Sequence, residues 1–417
     1  MKSSFCIAPL SLFVLVFCAA TSVHAQSISW TGNGDGISWS DDQNWSPARV
    51  PIASDDVAIT KNGTYSVQLT ATVTVNSLTL GGATDTQTLQ TNNRNLTLAT
   101  SSVVGPNGVI DWNGGTISVD TLTVRGSVLA ESNSTMILGS GVLINEALMR
   151  YSDGLLYLGP NTQVDNQGVF EFAADVDLRR SGVPPHTLLN SGTIRKTAGD
   201  SSADKSFIDV DVRNNGGTID VAAGTLELTE GGTYTGGTYS AASGTTLEFD
   251  SGVHIFNGTI SGTPDGTISF IGTTIEAGAN GATLDIGGTG FQWASGTIGT
   301  AADQVLTNDG LLKVSASGTK VQGAGTLLNN GTVVWDEGLL YLGTNAVFDN
   351  RSIFDFAAEV SLRRSGVSPH TLLNSGTIRK SAGDIESDRS FIDVALQNNG
   401  GTIDVLAGSL ELTEGGI

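Results

Sequence analysis

Leu188–Lys196 reads LLNSGTIRK, and Leu372–Lys380 repeats the same stretch letter for letter. Each copy begins with a turn signal, Asn-Ser-Gly, and runs on into a short strand-like segment, Thr-Ile-Arg-Lys. Asn and Gly tolerate the left-handed backbone of a sharp corner. Thr and Ile after the corner favour the pleated, half-buried state. Three other segments share this grammar: NNGGTIDV from Asn214, LTNDGLLKV from Leu306 and LLNNGTVVW from Leu327.

Asparagines of this kind stand at Asn145, Asn166, Asn190 and Asn214, and again at Asn329, Asn350, Asn374 and Asn398. The steps between them are 21, 24 and 24 in both sets. A turn period of about 22 residues, made of short strands, fits three strands per coil. Stacked coils then place each strand beside its counterpart one turn on, roughly 4.8 Å away, in a parallel ladder. Inward positions such as Ile194, Ile219 and Leu226 should form apolar columns, with their neighbours facing solvent. Parallel crossovers are overwhelmingly right-handed. The expected fold is therefore all-β, a right-handed parallel β-helix (β-solenoid) of on the order of 17 coils and about 80 Å. A tandem of β-sandwiches would need hairpins and units of roughly 100 residues, which the short period fits poorly.

A longer repeat encloses the short one. The run from Gly154 to Lys196 returns from Gly338 to Lys380, with roughly three quarters of the positions identical. Each position n in the first copy answers to n + 184 in the second. The match extends without gaps over 134–232 and 318–416. The second copy stops in mid-unit at Ile417, which raises the expectation of a fragment of a larger exported repeat protein, with any anchor beyond the C-terminus.

Residues 1–25 carry Lys2, an apolar run and Val-His-Ala before Gln26, as a cleavable secretory signal does. Both cysteines, Cys6 and Cys18, lie within it, so the mature chain has no disulfide and no thiolate ligand or nucleophile. The formal charge is −21, and Lys2 is the only charged residue lost with the leader, leaving −22. Between Arg213 and Lys313 there is no Lys or Arg. Such a polyanion repels nucleic acid and anionic membrane surfaces, and the mature chain has no apolar run long enough to span a bilayer.

Residues 26–100 are expected to form an N-terminal capping module and the first coils, and 101–417 the solenoid proper. The stretch WTGNGDGISWSDDQNW, Trp30–Trp45, supplies the cap: Trp30, Trp39 and Trp45 would cover the open hydrophobic end of the stack. The competing reading is a platform on which the three rings contact sugars. Asp35, Asp41 and Asp42 lack the ligand order of a calcium loop and read as turn formers. Neither a metal nor a cofactor is expected.

The N-G-x-I grammar of LLNSGTI and of NNGGTIDVAAGTLELTEGGTYTGGTY resembles bacterial secreted and surface β-helix proteins of the filamentous-haemagglutinin and autotransporter-passenger type. The Trp30–Trp45 stretch is similar to a leader module at the start of many large exported repeat proteins. The resemblance implies adhesion or surface display, with host or matrix glycans or surface proteins as partners.

Parallel β-helices also include polysaccharide lyases, which need a base and nearby cations. LRRSGVPPHTLLNSGTIRK offers Arg179, Arg180, His186, Arg195 and Lys196, and the second copy offers Arg363, Arg364, His370, Arg379 and Lys380. A patch duplicated a whole superrepeat away reads more naturally as structure, with arginines paired to acids such as Asp175 and Asp177, or as a repeated glycan-contact surface. No catalytic residue is assigned. Phosphate loops, nucleophile elbows and zinc-protease helices are missing.

Overall fold

The computed structural model describes residues 26–299 and 303–415. The proposed signal peptide lies outside the described residues. The rest is an all-β solenoid of about 17 stacked coils. Three ladders, faces A, B and C, run the length of the stack, and the chain visits them in that order. One coil comprises Thr162–Asn166 on face A, Val169–Phe172 on face B and Leu178–Arg180 on face C, before His186–Asn190 returns to face A. Among the described residues every strand pairing is parallel except that of Trp45–Ser46 with Gln26–Trp30.

The two-residue alternation of a strand explains the interior. Ile194, Ile219 and Leu226 are fully buried, as are Phe170, Tyr239 and Leu247 on adjacent rungs. In-register stacking puts identical side-chain positions one strand spacing apart, so the core is a set of columns. Between the two copies the columns are aromatic. Tyr234, Phe249 and Phe256 pack with centroids 5.3–5.5 Å apart, and Phe270 stacks on Trp293 at 5.7 Å.

The asparagines of the first series are buried at the ends of strands, and each is hydrogen-bonded to the next coil. Asn145 Nδ2 donates to Asn166 Oδ1 at 2.7 Å, Asn166 to Asn190 at 2.7 Å, and Asn190 to Asn214 at 2.7 Å. Each also donates to a backbone carbonyl at the start of the next coil's following strand, those of Val169, Thr193 and Thr218. Asn214 ends the series on the hydroxyl of Tyr239. A buried amide is tolerated only with its hydrogen bonds made, and here the repeat itself supplies them. The neighbouring glycine is required by the same geometry: a Cβ on Gly217 would sit 2.4 Å from Asn190 Nδ2, and on Gly401 2.3 Å from Asn374 Nδ2.

A second asparagine ladder links Asn308, Asn329, Asn350, Asn374 and Asn398 at 2.7–2.8 Å. It does not continue the first. The first runs along the corner between faces A and B, and the second along the corner between faces B and C. Thr193–Lys196 stacks on face B, whereas its repeat, Thr377–Lys380, is reached along face C through Leu311–Val314, Thr332–Trp335 and Ile353–Phe356. Leu178–Arg180 lies on face C, and its counterpart Ser361–Arg364 on face A. The superrepeat therefore advances by one face, a third of a turn.

Candidate functional site

At the N-terminal end, Trp30, Trp39 and Trp45 are 4, 1 and 2 % exposed. Trp45 packs edge-on to Trp30 at 4.9 Å and to Trp39 at 4.8 Å, and its Nε1 donates to the Trp39 carbonyl at 2.8 Å. The rings spend their faces on one another, so none is left open as a platform for a sugar. Trp45–Ser46 pairs antiparallel with Gln26–Trp30, on the edge that Asp55–Ile59 leaves free.

The aspartates of this stretch close its turns. Asp35 Oδ1 accepts from the Ile37 and Ser38 amides and from Asn44 Nδ2 at 2.7–2.9 Å. These bonds, with those to Ser38 the largest, hold its carboxyl well below the usual carboxylate range. Asp41 accepts from the amides of Asp35 and Gln43, and Asn44 Oδ1 from those of Gly34 and Gly36. Oxygens committed in this way are not arranged around a cation. Among the described residues no group of three His, Cys, Asp or Glu side chains is placed to hold one.

The arginine patch is dispersed by the coil geometry. Arg195 points outward on face B between Glu171 and Asp220, in a column that runs Arg150, Glu171, Arg195, Asp220, Ser240. Its Nε lies 3.2 Å from Asp220 Oδ2, and the next pair, Arg150–Glu171, is at 3.4 Å. In-register stacking would set like charges one strand spacing apart, so alternation of sign keeps the column stable. Arg379 repeats this on face C between Asp355 and Asp404, 3.8 Å from the latter. Arg179 bonds to Asp177 at 2.7 Å, one of the acids named from the sequence. Arg180 pairs with Glu230 and Asp209, and Arg364 with the corresponding Glu414 and Asp393. These bonds to carboxylates raise the pKa of Arg179 and of Arg180 above the ordinary value. Arg363 borders a depression of about 300 Å³ with Phe391, Asp393 and Thr413.

Two supposed surface cations lie in the interior. Lys196 is fully buried, its Nζ bonded to Asp175 Oδ1 at 2.8 Å, Ser206 Oγ at 3.1 Å and the Ala174 carbonyl at 3.2 Å. Lys380 is equally buried on the carbonyls of Ala358 and Ala382, and burial pushes its pKa down. A third buried lysine, Lys320, rests on the carbonyls of Ala316 and Glu337, and burial lowers its pKa to about 8. Its counterpart in the first copy is Met136. Lys320 occupies an inward position of an alternating strand, TKVQ, and that alternation was the signal that could have found it.

His186 and His370 are each 5 % exposed, with Nδ1 2.7 Å from the carbonyls of Gly159 and Gly343. Of the sequence-derived set, only Arg180 and His186 converge. They line a cleft of about 310 Å³ beneath the 181–185 loop, together with Gly182, Pro184, Pro185, Val210, Asp211 and Glu230. The loop tip is apolar and solvent-facing: Val183 is 67 % exposed, and Val367 in the second copy 71 %.

Sequence alone also missed an acidic pair on face C. Glu227 and Glu248 are register partners, and Glu227 is ion-paired to Lys205. Burial, reinforced by Glu227, raises the pKa of Glu248. Among the described residues no helix is long and apolar enough to cross a membrane. Compared with family models, with curated proteins and with solved structures, the chain matches none.

Proposed function

We propose that this chain is a secreted or cell-surface structural rod of adhesin-like type, related in manner to the filamentous-haemagglutinin and autotransporter-passenger proteins that its sequence resembles. The observation carrying this reading is the long in-register stack, whose outward cations are mostly paired with acids while an excess of acids is left at the surface. A surface built from repeated columns offers many weak, equivalent contacts, which gain strength through multivalency. The leader-like residues 1–25 support export.

Trp45–Ser46 and the three tryptophans act as the N-terminal cap in this reading. They cover a strand edge that would otherwise template aggregation. No enzymatic role is assigned: apart from Arg363, the cations a lyase would need are paired with acids or buried, and the repeat sends the two copies to different faces. The second reading, a polysaccharide-binding or polysaccharide-degrading β-helix, is favoured by one observation, the cleft beneath the 181–185 loop.

Two measurements test these readings. Fractionation of the producing cell should find the chain outside the cytoplasm, and a cytoplasmic location would refute the rod as a surface structure. A glycan screen with product analysis on acidic polysaccharides should show no turnover. Turnover abolished by Arg195→Ala or Arg379→Ala would replace the scaffold with the enzyme.

A further inference from the structure

We propose that the cleft beneath the 181–185 loop is a binding site for a neutral sugar unit, selected by hydrogen bonds to its hydroxyls. The inference deepens the polysaccharide-binding reading and depends on it. It begins with His186. Its Nδ1 faces the Gly159 carbonyl at 2.7 Å. A carbonyl can only accept, so Nδ1 carries the hydrogen, and whenever the ring is uncharged Nε2 is an acceptor. Nε2 has no partner, although the residue is 5 % exposed. Buried polar atoms are nearly always bonded, and one that is not, in a residue lining a cleft, leaves an acceptor unsatisfied beside that cleft.

The rest of the lining specifies the donor. Asp211, one of whose oxygens is paired with Arg213 at 2.8 Å, and Glu230 add carboxylate acceptors, and Arg180 adds guanidinium donors held in place by Glu230. Pro184, Pro185 and Val210 supply an apolar wall. Acceptors, one fixed donor and an apolar wall match a sugar ring, whose hydroxyls both give and take hydrogen bonds while its C–H face packs. The volume of about 310 Å³ lies at the lower end of small-ligand sites. An anionic sugar is disfavoured because Asp211 and Glu230 line the cleft, and the two nearby arginines are already paired, Arg180 with Glu230 and Asp209 and Arg213 with Asp211.

The second copy is a built-in control. His370 repeats the bond of His186, but Ala395 stands where the first copy has Asp211, and Ser368 where it has Pro184. The first copy therefore binds more tightly.

The test titrates the full chain by calorimetry with neutral gluco-, manno- and galacto-oligosaccharides, and with a uronate oligosaccharide as contrast. One neutral series should saturate a single strong site per chain. Asp211→Ala, which converts the first cleft towards the second, should weaken it at least tenfold at an unchanged melting temperature. Asp393→Ala, in the other copy, should leave it unchanged. Three results overturn the proposal: no neutral sugar bound at millimolar concentration, preference for the uronate, or an affinity indifferent to Asp211→Ala. A cleft that binds nothing leaves the rod standing, whereas a cytoplasmic location removes the rod without touching the cleft.

Discussion

Residues 154–196 and 338–380 are close copies in sequence, yet they occupy different faces of one rod. Thr193–Lys196 packs on face B and Thr377–Lys380 on face C, each with its isoleucine fully buried and its asparagine corner bonded to the next coil. The three faces are therefore interchangeable to the chain. What a strand requires is an apolar column on its inner side and a matching strand above and below, and each face offers both. The copies diverge where interior chemistry changes, at Met136 against Lys320, and where the surface changes, at Asp211 against Ala395.

The largest test of this equivalence is Ile194→Ala against Ile378→Ala. Each removes a fully buried side chain from an interior column, and each should cost about 2–5 kcal/mol. Denaturant midpoints of the two variants should agree closely, and a gap above about 2 kcal/mol would show that faces B and C are not equivalent.

Asn190→Ala and Asn374→Ala probe the corners. Either change strands one Nδ2 hydrogen of the preceding asparagine and removes the donor to the Oδ1 of the following one. Both should cost about 1–3 kcal/mol, read as faster amide exchange in the adjoining coils. Protection that survives in both would mean that the ladders are incidental to stability.

Lys320→Met gives the second copy the first copy's residue. Lys320 titrates lower in the fold than in the unfolded chain. Between about pH 8 and the ordinary lysine value the unfolded chain therefore holds the extra proton, and stability rises with pH. Below about pH 8 the penalty of the buried charge is constant and fully present. The methionine variant should gain about 1–2 kcal/mol at neutral pH and lose part of that rise. An unchanged slope between about pH 8 and 10 would remove Lys320 as its source.

Arg195→Ala and Arg379→Ala should have the smallest effect, below about 1 kcal/mol, because Arg195 is an exposed ion pair and Arg379 a half-buried one with a longer, weaker contact. The Arg195 effect should be the larger and should shrink with salt, since its partner lies at 3.2 Å rather than 3.8 Å.

Much of this fold was legible in the chain. The asparagine spacing predicted the coil, and alternation predicted the burial of Ile194, Ile219 and Leu226. The candidate site was less legible. A cationic patch drawn from one stretch assumed that neighbours in sequence share a surface. In a three-faced coil, Arg179 points from face C and Arg195 from face B, and Lys196, one residue on, turns inward. The cleft of Arg180 and His186 depends on Val210, which arrives one coil later, and on Glu230, which arrives two coils later.

The sequence by itself determined strand, corner and coil, because these arise from periodicities and turn chemistry within about 25 residues. Only the tertiary structure decided on which face each copy lies. That depends on length accumulated over many coils, in which every loop counts, and the superrepeat does not close a whole number of turns. It also decided which acids each outward arginine meets, because those partners come from the coils above and below.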